Sequence, residues 1–465
     1  MITLQRPAHA AELLVGALML GLTGAPAPLP AQTSITIYND GRTLVRRTQP
    51  ADISRGQSRQ VAATGVADPG SIFSLDPDLT IVSSTYDAGT DEMSAVRRLI
   101  GRRVTYRSGK DTVSAVILGV DPVRYQLADG TVSFVPPGLP QYPADVVTVD
   151  PRYELTIVSA RARKGLPLGY FTSGAAWSAS YQVILGGGGT ARVMGQAVVN
   201  PGPLRFKETE IQLLAGQVNV APAAAPYQAR AEGLMVMKAA EAGAPPAEEK
   251  VGEFHLYTLP GTWSLDPGIV RTISLFEPTG APVRKSFELR GRLPYWGGLP
   301  QYGEEEAVPV QVVYTVERAR KSDLGERPLP AGTVRLFEPD SAGRVELIGE
   351  SRIDHSPAGE DLRLDAGTAF DLTAKRVQTA YATRRDSTGQ NGVWRTIATA
   401  DYRVTLTNAG PAPATVEVLE ERGGEWAIVS SSLKPEKLSS TRTRFRVPVA
   451  AGGKATLTYR VRVVW

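Results

Sequence analysis

The sequence contains no cysteine and only three histidines among 465 residues. The first absence excludes disulfide frameworks and thiolate metal sites, so stability has to come from burial, which a chain of this length can supply. The second, with no His-x-x-His or His-Glu-x-x-His spacing, argues against a zinc centre built on histidine. Gly-x-Ser-x-Gly is missing, as is an aspartate-rich EF-hand loop, and "AGGKAT" (451–456) lacks the first glycine of a Walker loop. "GGGGTA" (186–191) satisfies a dinucleotide-type glycine pattern, but a strand-like run follows it. Without a helix amino terminus there is no fan of free N–H groups for a phosphate. "SSLK" (431–434) has no partner words of a Ser-x-x-Lys enzyme. These readings predict no cofactor, no metal and no catalytic residue; only a pair of carboxylates, which leaves no spacing signature, stays open.

What the chain does have begins with a leader. "ELLVGALMLGLTG" is too short to span a bilayer comfortably, follows Arg6 and precedes "APAPLPA". Residues 1–31 read as a secretory signal peptide cleaved after Ala31, an uncleaved anchor being the alternative. With no cysteine, lipid attachment is excluded, and export without disulfides suits a bacterial periplasm or cell surface.

Most of the rest alternates with period two, with high glycine and proline content between the runs. Helical periodicity is convincing only at "DEMSAVRRLIG". The expected fold class is all-β: β-sandwich modules, an inserted small SH3/Sm-like barrel, and very little helix after the leader. Residues 32–91 form an amino-terminal β segment pairing with the sheet that follows, and 92–145 the barrel. A β-sandwich covers 146–220, with Gly186–Gly189 at a hairpin end. An Ala/Pro/Glu-rich linker or loop spans 221–250, a β-sheet domain 251–398, and an immunoglobulin-like sandwich 399–465. In the last strand Leu457, Tyr459, Val461, Val463 and Trp465 share a face, which suits a buried sandwich strand better than a membrane barrel.

The net charge of +4 is unevenly placed. Residues 97–138 hold seven basic residues and three acids, so this segment alone carries the excess. Arg102, Arg103 and Arg107 are candidates for contact with an acidic partner or a phosphate-bearing envelope polymer. Export argues against nucleic acid as that partner. Tyr295, Trp296 and Tyr302, in the Gly/Pro-rich "GRLPYWGGLPQYGEEE", are candidates for stacking on sugars or anchoring a protein contact. "RIDHSPAGEDLRL" (352–364) reads as strand, turn, strand, with Asp354, His355, Pro357 and Gly359 in the turn and the imidazole organising it. His255, in "EFHLYTL", reads as a packed strand residue.

Several stretches resemble a family of exported bacterial proteins, the domain-of-unknown-function 4139 family, relatives of the mucoidy inhibitor A proteins. They are "ITIYNDGRTLVRR" from Ile35, "YFTSGAAWSASYQVIL" and "LLAGQVNVA" between Tyr170 and Ala221, "GEFHLYTLPGTWSL" from Gly252, "LPAGTVRLFEPDSAGRVELIGESRIDHSPAGEDLRL" from Leu329, and the closing "GGKATLTYRVRVVW". The basic segment stands where mucoidy inhibitor relatives carry a long helical hairpin. The resemblance implies an exported β-rich architecture and no established activity. The expected function is non-enzymatic binding, adhesion or scaffolding in the envelope, with a polysaccharide or protein partner and no integral membrane insertion. A carboxylate-based hydrolase of envelope glycans is the alternative.

Overall fold

Alternation becomes structure in the first hairpin. In Thr33–Tyr38 and Arg42–Ile53, Ile35, Ile37 and Val45 point into the core while Ser34 and Arg46 take the other face. Gly41, at φ +85°, closes the turn in a conformation that glycine adopts without strain. The computed structural model describes residues 33–216, 218, 247–251, 254–292, 303–386 and 395–465. The fold is all-β: the described residues contain one α-helix, Glu92–Arg98, and a single 3-10 turn, Ala144–Val146, among the strands.

The first hairpin belongs to an eight-stranded sheet in which Thr33–Tyr38 lies between Arg42–Ile53 and Phe206–Ala215, and Arg42–Ile53 also pairs with Arg163–Ser173. A three-stranded sheet places Arg152–Ser159 between Gly56–Ala63 and Leu79–Asp87. A third sheet, of thirteen strands, runs through Gly332–Pro339, Ala176–Leu185, Thr190–Asn200, Arg271–Arg292, Glu306–Val316, Leu362–Asp386, Arg395–Asn408 and Lys454–Val464. Gly186–Gly189 forms the hairpin end between two of these strands, with Gly188 and Gly189 at positive φ.

Three separate cores fill the described residues. The largest joins the first two sheets to the early strands of the third, with Ile37, Tyr153, Tyr170, Tyr181, Val193 and Leu336 in it. The second contains Leu289, Val310, Leu406, Val418, Phe445, Leu457 and Val461. The third packs Ala95, Val96 and Leu99 against Val104, Tyr106, Ala115 and Ile117.

Several expectations need revising. The apolar face of the last strand is buried in the second core at Leu457, Tyr459, Val461 and Val463, whereas Trp465 is exposed. That core is not made by residues 399–465 alone, because Leu289, Val310, Leu372 and Ala374 complete it. The position expected for a boundary, 398/399, falls inside the strand Arg395–Asn408. Period-two patterning reveals which face a residue takes but not which strands become neighbours. The linker ends sooner than expected, because Ala247–Val251 is a strand whose backbone pairs with Phe254–Thr258. The basic segment forms a five-stranded antiparallel sheet whose path is open: its end strands, Leu139–Gln141 and Val132–Ser133, are not paired with each other. Residues 1–31, most of 221–250, and Tyr295, Trp296 and Tyr302 lie outside the described residues.

Candidate functional site

The basic module is inserted between Leu79–Asp87 and Arg152–Ser159, which are themselves paired, Asp87 opposite Arg152. Its helix starts at Asp91, whose carboxylate accepts from the Ser94 N–H at 2.9 Å, and it buries Ala95 and Val96. Val104 and Tyr106 of Arg103–Ser108, and Ala115 and Ile117 of Asp111–Val120, face this helix. The alternate residues therefore lie on the other face, which no described element covers.

Strand register decides what that open face carries. Arg103 lies opposite Val116, Thr105 opposite Ser114, and Arg107 between Thr112 and Leu139. Gln141, Gln126 and Arg124 extend the face on either side. Arg103 donates to the Ser114 hydroxyl at 3.3 Å, and Arg124 lies across Gly119, where a Cβ would meet its guanidinium at 2.5 Å. Three arginines thus share one face, and the register puts no Asp or Glu on it. Two of the expected trio, Arg103 and Arg107, are brought together. Arg102 has the opposite parity and lies 3.5 Å from Asp145. Arg124 takes its place, on a strand whose pairing shifts register between Ile117 and Gly119, so alternation along the sequence does not reveal it.

At the root of the module, Arg98 donates to the Val146 carbonyl at 3.0 Å, to the Thr148 hydroxyl at 3.1 Å and to Asp87. Asp87 also accepts from Thr148 at 2.8 Å and from the Gly89 N–H at 3.0 Å. Burial pushes the Asp87 carboxyl up, but these hydrogen bonds and the Arg98 charge outweigh it and hold it below the usual carboxylate range. The module is thereby clamped to the scaffold at both of its connections.

The turn at His355 has a different organiser. Arg318 is fully buried and donates to the carbonyls of Leu324, Arg327, Pro357 and Glu360, the last at 2.9 Å, while its own N–H donates to Asp361 at 2.8 Å. His355 Nδ1 accepts from the Ala331 N–H at 3.2 Å, just before the strand Gly332–Pro339. Burial pushes its pKa down, with Asp354 opposing and His255 adding to the shift. The Asp354 carbonyl accepts from the Ser356 hydroxyl, and Gly359, at φ +81°, donates to the Gly325 carbonyl at 2.8 Å. His255 sits in the strand Phe254–Thr258, opposite Ala215. Sequence reading centred this turn on the imidazole and missed Arg318, because an arginine in a polar loop gives no sign that it will be buried.

Carboxylates deep in the fold are already engaged. Glu420, without solvent exposure, accepts from the Tyr459 hydroxyl and from Arg376 at 3.2 Å, and the Arg376 guanidinium sits 4.1 Å from the Tyr402 ring centroid. Burial pushes the Glu420 carboxyl up; Arg376 and Tyr459 oppose that. Both carboxylate oxygens of Glu420 are thus taken up inside the fold. Glu288 is held by both guanidinium nitrogens of Arg363, at 2.5 and 2.6 Å. Of the open grooves, the one beside Phe287 and Phe370 has Asp371 as its carboxylate, and the one beside Arg444 has Glu436. Neither presents two acids facing one another. Among the described residues no group of three or more His, Asp or Glu side chains could hold a metal ion, and no helix is long and apolar enough to cross a membrane.

The chain matches no protein-family model and no curated protein.

Proposed function

We propose that this chain is an exported, non-enzymatic protein of the bacterial envelope, allied to the domain-of-unknown-function 4139 proteins, with a binding, adhesive or scaffolding role. In this reading the sandwiches are the scaffold and the basic module is the contact end, meeting an envelope polysaccharide or a protein. The observation that supports it is the module's uncovered sheet face, where Arg103, Arg107 and Arg124 stand among hydroxyl, amide and apolar side chains with no acid between them. Cations so arranged attract a polyanion without creating a pocket for a reaction.

The pairing of Asp87 with Arg152 supplies the test, since residues 89–150 can be replaced by a short Asn-Gly turn joining the two strands. The module's core shares no residue with the other two cores, so the shortened protein is expected to fold. Capture of native envelope components by the intact protein, and not by the shortened one, is the expected result. Equal capture by both would overturn the assignment of the module as the contact end.

A further inference from the structure

The cations of the open face suit any polyanion, but the rim beside them is more selective. Within eight residues the module exposes Val132, Phe134, Val135 and Leu139, the last three at 64%, 69% and 73%. Single exposed apolar residues are ordinary; a run of them on one short segment marks a contact. This run is held in place. Val135 N–H donates to the Ser133 hydroxyl at 3.0 Å, and that hydroxyl donates back to the Val135 carbonyl at 2.7 Å. Pro136 and Pro137 restrict the backbone that follows. Gly138 crosses so close to the next strand that a Cβ would meet the Arg107 carbonyl oxygen at 2.5 Å, and Leu139 then lies directly opposite Arg107. The end of the apolar rim at Leu139 is thus fixed beside the arginine strand.

We propose that this rim docks on an anionic lipid surface, with Phe134, Val135 and Leu139 entering the interfacial layer and Arg103 and Arg107 meeting headgroup phosphates. The proposal rests on the module's being the contact end and names what that end touches. A soluble polyanion would engage the arginines and leave the apolar side chains in water. A protein strand added at the sheet edge would find only Leu139–Gln141 or Val132–Ser133 to pair with, and both are short. Side chains exposed to this degree project from the module, and a fluid interface accepts them without needing a matching pocket. The charge on the neighbouring face then selects anionic headgroups.

The test is co-sedimentation of the full chain with vesicles of equimolar phosphatidylglycerol and phosphatidylcholine, against vesicles of phosphatidylcholine alone. Residues 1–31 are common to every variant compared, so differences between variants belong to the module. Binding to the anionic vesicles is expected to fall about thirtyfold in the double variant Arg103→Ser/Arg107→Ser. It should fall about tenfold or more in Phe134→Ser/Val135→Ser. All four side chains are exposed, so unchanged melting curves are expected and would confirm intact folds. Indifference to headgroup charge, or to loss of Phe134 and Val135, would overturn the proposal. Binding to soluble poly(glycerol phosphate) with no vesicle binding would also overturn it, yet leave the module as the contact end. Loss of all module-dependent capture would remove both readings.

Discussion

At the scale of single residues, polar groups set the terms. His355 works as an acceptor through Nδ1, which requires the neutral ring. Its pKa is lowered in the fold, mainly by burial. The contribution it makes is therefore fully present above the unfolded value, near 6.5, and is lost as pH falls through the lower folded value. Thermal melting between about pH 7.5 and about pH 5 is expected to show this loss, and His355→Ala to show less of it while melting lower at the upper end. An equal pH response in both proteins would mean that other groups carry it. Glu420 poses the sharper case. Glu420→Ala would leave Arg376 buried and unpaired, a loss of about 3–5 kcal/mol, read as a lower denaturant midpoint. Replacing all three partners, Glu420→Leu with Arg376→Met and Tyr459→Phe, should recover most of that loss, since an apolar cluster of similar volume needs no compensating charge and leaves no hydroxyl unsatisfied. A triple variant as unstable as the single one would show that the network does more than satisfy itself.

At the scale of elements, the clamp at the module's root makes a separable claim. Arg98→Ala removes the donor shared by Val146, Thr148 and Asp87. Amide exchange across residues 92–147 is expected to quicken about tenfold, with Arg152–Ser159 unchanged. No change in the module would place its rigidity elsewhere. Strands were the most legible elements in the sequence, since each face of a sheet repeats every second residue. The helix at Glu92–Arg98 was legible too, with Asp91 as its cap. The open face was half legible: Arg103 and Arg107 show by spacing, but Arg124 joins them only once Gly119 is known to lie opposite it. Arg318 and the Glu420–Arg376 pair were not legible, because burial of a charge depends on contacts from strands distant in the chain.

At the scale of the molecule, the fold class followed from patterning and its joinery did not. Short evenly spaced strands suggested a row of independent modules. Instead three strands, Arg271–Arg292, Glu306–Val316 and Leu362–Asp386, contribute to both large cores. Residues early in Leu362–Asp386, Leu362 and Leu364, are buried in the first core, and Leu372 and Ala374 in the second. The change of core falls at a break in register, where Thr368 lies opposite Gln311 and Thr373 opposite Pro309. Only the inserted module keeps a core of its own.

Those three shared strands make the body a spliced beam. At about 3.3 Å per residue, a run of 25 residues reaches roughly 80 Å along its contour. Tension applied at one end of the body would thus travel through continuous backbone from one core into the other.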